Sequence, residues 1–527
     1  MRLRDVLLAA VLVGAACGDD DGGTVEVPCR PSQPAPYPQG IPYVGIHANP
    51  GSSDFVDCDS ASAFEQVWHS LVGLAVVQPN TFSPDGNTVY VTTANPDPDG
   101  CRVHALSARD GTTEWCRTFH PTVVGSAVEV DADGFLYLAV LDQIVSLNAD
   151  GSDRWATPIG TADPEGGLSG PLGLHFTPGG HVATVTNGGV VYLLARDDGR
   201  VLASYDIPAE TGFVPPRALM LDLDIRMVAP DAVVADLDAI FGAGGGGGFL
   251  GAFLGAGGGF SDNTIGVSPR DELFVVGGGA DPDHGAMIQL RIAPGPTIER
   301  GWHVPLVGGS ATSPSVTRDG RYVNVGDGST PGAILDPGSV RATVKGIDVD
   351  ACDDNTDDDD HPQVCAPIYE MEMERGPMAG APALDDQGVT YLWETTLRLT
   401  AFGPEAVDLR AAGPSGTLWE VALPDDLTWS AVMTVTRNHI VGTVTRTTVS
   451  DERILDIRFP GVAESFLAVV DRATGQLVFR APVPDDSSAT VTIGPDGSLY
   501  VGMLGLLSIM AVDTTPTLGI VRFAPTR

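Results

Sequence analysis

The chain has 527 residues, 43% of them apolar, and a formal net charge of −39, with Lys345 as its one lysine. That balance excludes nucleic acid, whose phosphates are met by Lys and Arg, and disfavours contact with an anionic membrane surface. The 65 glycines and 41 prolines keep no period of three, which excludes a collagen-like rod and points to short strands joined by many turns.

The first element is "MRLRDVLLAAVLVGAACGDDDGG". Arg2 and Arg4 give a positive start, Val6 to Val13 a short apolar core, and Gly14, Ala15 and Ala16 lead to Cys17. This resembles a bacterial lipoprotein signal: residues 1–16 would be removed and Cys17 would carry lipid. An ordinary signal cut near Ala16, with no lipid, is the competing reading. The apolar run is far below the ~20 residues a membrane-spanning helix needs. Residues 17–42, rich in Gly, Asp and Pro, read as a tether that packs no core.

Setting Cys17 aside leaves six cysteines, and export is the setting in which bridges persist. They fall into sequence-local pairs: Cys29 with Cys58, Cys101 with Cys116, and Cys352 with Cys365. Cys101 and Cys116 are symmetric about a turn near Ala108 and Arg109, as adjacent antiparallel strands require. No C-x-x-C or His-rich zinc spacing competes with that pairing.

From residue 43 to 523 one grammar recurs. "SPDGNTVYV" (83–91) has counterparts starting at 131, 177, 268, 317, 385, 436 and 494, each a turn flanked by period-2 apolar patterning. A later strand in each unit carries an aromatic followed four residues on by an apolar residue. Trp115, Trp155, Trp302, Trp419 and Phe479 are the strong cases; Tyr205, Tyr369 and Phe523 are weaker. Trp68 is a ninth such strand with no complete hairpin before it. Eight hairpins predict an all-β ring of eight four-stranded antiparallel blades, seven being the alternative, with residues 43–72 against the last blade.

"ALSARDGTTEW" (105–115) and "VVDRATGQLVF" (469–479) carry the resemblance to a family. They are similar to the alanine-x-aspartate-x-x-threonine-glycine-x-x-x-tryptophan repeat of the quinoprotein-like (PQQ-like) β-propellers. The resemblance implies that Trp115, Trp155, Trp302, Trp419 and Phe479 dock between neighbouring blades, deeply buried. Quinoprotein dehydrogenases of this fold hold their cofactor beside a vicinal disulfide and a calcium ion. This chain has no adjacent cysteines, so no quinone is expected.

Residues 209–262 interrupt the repeat between the third and fourth units. Val233, Val234, Leu237, Ile240 and Phe241 share one face at helical spacing, and Gly242 is a natural stop. The glycine run that follows carries Phe249, Leu250, Phe253 and Leu254, a covering loop or a contact surface. Two acidic turns invite calcium: Asn95, Asp97 and Asp99 in "NPDPDG", and "CDDNTDDDDHPQVC" (352–365). The first lacks the glutamate an EF-hand needs, since Leu106 stands there. No G-x-S-x-G, H-E-x-x-H or P-loop is present. The expectation is a lipid-anchored envelope propeller, on an outer membrane by preference, binding protein or glycan without catalysis, cofactor or metal. Its membrane contact would be the anchor alone. The alternative is a degenerate quinoprotein dehydrogenase, or a hydrolase using the central funnel.

Overall fold

A reversal at a short turn, Gly-bearing in six of eight cases, joins a short innermost strand to a longer second strand, and this step recurs eight times around one axis. The computed structural model describes residues 29–526 apart from 120–125, 163–167, 216–260 (save 234), 329–341, 354–363, 374–381, 395–407 and scattered shorter gaps. The expected signal segment, Cys17 and nearly all of the 209–262 insertion therefore lie outside the described residues.

The blades span 81–117, 129–158, 175–206, 266–306, 315–372, 383–422, 428–483 and 492–525, numbered 1 to 8. Each is an antiparallel sheet whose strands run outward in chain order, and all eight expected hairpins form its inner pair. Blade 8 takes its outer strand from the other end of the chain: Phe64–Ser70 pairs antiparallel with Gly519–Pro525. The ring is thus closed by hydrogen bonds between the two ends, leaving no unpaired flank within that blade.

Burial follows from that geometry. Middle strands are covered on both faces by neighbouring blades, so Leu136–Val140 is buried throughout. Outer strands alternate, as in Asp153–Pro158 and Val201–Asp206. Two corrections to the sequence expectation arise here. Phe523 belongs to a third strand, so there are eight outer strands and not nine. The docked aromatics are also shallower than expected. Trp302 is 1% exposed, but Trp115, Trp155, Trp419 and Phe479 are half-buried, because an outer strand meets its neighbour with one face and solvent with the other.

Docking itself is specific. Trp115 donates from Nε1 to Ala149 O (2.9 Å), Trp155 to Arg196 O (3.1 Å), Trp419 to Arg472 O (2.9 Å) and Trp68 to Ala108 O (3.2 Å), each carbonyl in the last turn of the next blade. Gly199 and Gly475 sit in those turns at φ +70° and +71°, and any Cβ there would strike Trp155 or Trp419. Blades 2 and 6 repeat a further joint. Tyr137 donates to Asp131 and Tyr391 to Asp385, while Arg196 and Arg472 of the following blades pair with the same carboxylates. Trp302 departs from the pattern by bonding the Asp353 carboxylate in the short helix Val349–Asp353 (2.9 Å). Phe479 meets Phe64 edge-on, where the two chain ends replace a turn.

Three disulfides join Cys29–Cys58, Cys101–Cys116 and Cys352–Cys365, at Cα separations of 5.3, 5.7 and 5.4 Å. Among the described residues no helix is long and apolar enough to cross a membrane.

Candidate functional site

The first turn of every blade and the last turns of blades 1 to 7 share one face of the ring, here called the turn face; the connections between blades lie on the other. Residues 29–42, expected as unpacked tether, lie on the turn face and bury part of their side chains there: Cys29, Tyr37 and Ile41 are at most 2% exposed. Cys29 N bonds Pro495 O, Arg318 bonds Ser32 O, and Ala132 N bonds Pro36 O, which spreads the segment over the first turns of blades 8, 5 and 2. The reason is compositional. Tyr37, Ile41, Tyr43, Val44 and Ile46 supply apolar surface, and proline removes backbone donors that burial would leave unpaired.

Residues 43–56 then enter the axis and plug it. Val267 N bonds Pro50 O (2.7 Å), Val316 N bonds Gly51 O (2.6 Å), Leu384 N bonds Ser53 O (2.8 Å) and Val435 N bonds Asp54 O (2.8 Å). Those partners are the inner strands of blades 4, 5, 6 and 7, so the plug circles the axis blade by blade. Ala48, Ser52 and Asp54 hold positive φ (66°, 53° and 51°), a strained backbone that surrounding contacts must impose. The Cys29–Cys58 bridge closes the loop at its base, where Cys58 O accepts from Arg437 N of blade 7 (3.0 Å).

Two Ser–His–carboxylate relays tie plug to ring. In the first, His47 lies 2.9 Å from Asp54 through Nδ1 and 3.0 Å from Ser313 Oγ through Nε2. In the second, His175 lies 3.0 Å from Glu129 Oε1 through Nδ1 and 3.2 Å from Ser52 Oγ through Nε2. The His175–Glu129 approach is an ion-pair distance without the alignment of a linear hydrogen bond. Tyr43 donates to Asp54 (3.1 Å). The Tyr37 hydroxyl accepts from Phe176 N (2.9 Å), which leaves its proton for Glu129. Burial pushes the carboxyls of Asp54 and Glu129 up, against the opposing pull of His47 and His175. It pushes the phenols of Tyr37 and Tyr43 well up as well.

The geometry is that of a nucleophile relay, yet the protons run the other way. Ser313 donates to Asn263 Oδ1 (2.8 Å), an oxygen fixed as acceptor by the Thr264 N–H (2.9 Å). Ser52 donates to the Ile265 carbonyl (3.0 Å), which can only accept. Each serine oxygen is therefore left to accept from imidazole Nε2–H, whereas nucleophile activation needs the serine to donate to that nitrogen. Both serines are 0% exposed. The first relay satisfies its buried polar groups, and both tie the plug to the ring.

Beside the plug on the turn face is a cavity of about 220 Å³, walled by Pro31, Pro34, Phe55, Phe176 and Val316 with Arg318 and Asp386 at its rim. Of the calcium candidates, Asn95, Asp97 and Asp99 form a turn that uses its own oxygens: Asn95 Oδ1 accepts from Asp97 N and Asp97 Oδ1 from Asp99 N. The second falls mostly outside the described residues. Among the described residues no three His, Cys, Asp or Glu side chains converge on a metal position. A quinone on the axis does not fit, because residues 43–56 fill that space and no cysteines are adjacent. Sequence reasoning missed the plug and its histidines; the one available signal was the cluster of Tyr and Ile between two cysteines.

The sequence model of the outer membrane protein assembly factor BamB matches residues 61–214, the closing strand and the first three blades. No curated protein matches the sequence. In structure the chain is similar to quinohemoprotein alcohol dehydrogenase from Comamonas testosteroni, at 13% identity, TM-score 0.56, covering 93% of this chain and 81% of that one. It is also similar to a europium-containing methanol dehydrogenase (12% identity, TM-score 0.51, 92% and 98% covered). BamB from Moraxella catarrhalis aligns at 13% identity and TM-score 0.45, covering 88% of this chain and 99% of that one. At such identities the likeness is one of fold. The fold is an eight-bladed PQQ-like, BamB-type β-propeller.

Proposed function

We propose that this chain is an exported envelope propeller, anchored by lipid on Cys17, that binds a protein or glycan partner and carries out no chemistry. The observation that supports it is the plug: the axial space that a funnel enzyme would give to cofactor or substrate is filled by residues 43–56, bonded to the inner strands of blades 4 to 7. The test adds pyrroloquinoline quinone and calcium to purified protein and follows absorbance and dye reduction with alcohols and sugars. The expected result is no saturable binding; saturable binding with substrate-dependent dye reduction would overturn the reading. Fatty-acid analogue labelling, lost in Cys17→Ala, tests the anchor.

A second reading, hydrolysis, has one observation in its favour, the two Ser–His–carboxylate relays. Their proton direction and complete burial weigh against it. A fluorophosphonate probe should leave the protein unlabelled; labelling abolished by Ser313→Ala or Ser52→Ala would establish the enzyme.

A further inference from the structure

We propose that the propeller stands on the membrane turn face first, so that the face bearing the connections between blades is the one presented to a partner. This rests on the reading of Cys17 as the lipid carrier. The chain meets the ring on the turn face and is pinned there. Cys29 bonds Pro495 in the first turn of blade 8, is bridged to Cys58, and Ser32 is held by Arg318 in the first turn of blade 5. It does not reach the opposite face through the axis, which residues 43–56 occupy.

Reach decides the rest. Cys29 lies twelve residues beyond Cys17. Fully extended, that length spans about 40–43 Å; as a relaxed Gly-rich coil its ends sit roughly 17–21 Å apart. The first turn of blade 8 is near the axis. A path from there to the opposite face crosses three inter-strand spacings, about 14 Å, then the outer side chains, then the edge of a blade. A strand of five to seven residues with its turns makes that edge about 25–30 Å tall, so the whole path is roughly 45 Å. That exceeds the stretched tether and is more than twice its relaxed length.

The experiment uses full-length lipidated protein on vesicles of phosphatidylethanolamine and phosphatidylglycerol containing an acceptor dye. A donor is placed at Ala473→Cys, in the last turn of blade 7, or at Asp283→Cys, between the second and third strands of blade 4; both positions are exposed. Energy transfer should be several-fold greater from position 473, and lengthening the tether by a dozen Gly-Ser residues should reduce it. Equal transfer from the two positions, or greater transfer from 283, overturns the orientation while leaving the anchor intact. A wild type that does not float with the vesicles, or a Cys17→Ala variant that does, overturns the anchor reading and the orientation with it.

Discussion

The rim and the axis of this ring are held by different physics. At the rim, one local pattern is used repeatedly: an outer-strand indole donates to the next blade's turn and rests on a glycine, as Trp155 does over Gly199 and Trp419 over Gly475. Each joint is half exposed, and its loss would leave the others in place. At the axis nothing repeats. A single loop, closed by Cys29–Cys58, touches blades 2 to 8 through groups that are almost wholly buried, two of them carboxylates. Rim contacts are many and individually modest; axial contacts are few and individually costly to break.

That contrast can be broken first at Asp54. Asp54→Ala would leave His47 in a dry site without its carboxylate, and removing one partner of a buried pair costs about 3–5 kcal/mol. Denaturant unfolding should find that loss, and a double-mutant cycle with His47→Ala should show strong coupling. A cost below that of any rim tryptophan would reverse the ranking. Next, replacing Cys29 and Cys58 by Ala frees a loop of 29 residues and should lower stability by roughly 3–4 kcal/mol on the chain-entropy model. Thermal melts compared with a Cys101/Cys116 double variant would measure it, the shorter loop there giving the smaller loss.

Acid offers a third probe, located in a blade. His104 on the third strand of blade 1 is buried, with Thr93 Oγ1 3.1 Å from its Nε2, and burial holds its imidazole down to about 4. The unfolded chain takes up that proton near 6.5 while the folded one does not. Its contribution is therefore flat above pH 6.5 and falls as pH drops to about 4, by roughly 3 kcal/mol in all. His104→Gln should remove that part of the slope; an unchanged slope would place the acid sensitivity elsewhere.

At the rim, Trp155→Ala should cost about 2–3 kcal/mol, less than the 3–5 typical of enclosed aromatics, because the ring is only half covered. Trp302→Ala, from a side chain 1% exposed, should cost more, and equal losses would mean that depth does not govern docking. Smallest is Gly199→Ala, about 1–2 kcal/mol from a left-handed backbone and a methyl pressed on Trp155. Chemical unfolding of the three variants side by side settles their order.

How far the sequence could be read follows the same division. The eight hairpins were legible because short polar turns, four of them Asp-Gly, and period-2 patterning act over fewer than ten residues. The three disulfide pairs were legible because each is local in sequence. The docking tryptophans were legible in kind but not in depth. Nothing in "PYVGIHANPGSSDF" has a period, and it adopts no strand or helix apart from an isolated bridge at Phe55. It falls almost wholly within residues 43–72, expected against the last blade, yet only Phe64–Ser70 pairs there while residues 43–56 enter the axis.

The sequence by itself determined the number of blades and their strand order, since those depend on neighbours in the chain, and it marked an N-terminal strand without a hairpin of its own as the one to close the last blade. The tertiary structure alone decided that the axis is plugged and that His47 meets Ser313, Ser52 meets His175, and each serine hydroxyl turns its proton away from imidazole. Those residues are separated by 123 to 266 positions along the chain. No local preference specifies such a meeting; it exists only once the ring has closed and brought its inner strands around a common axis.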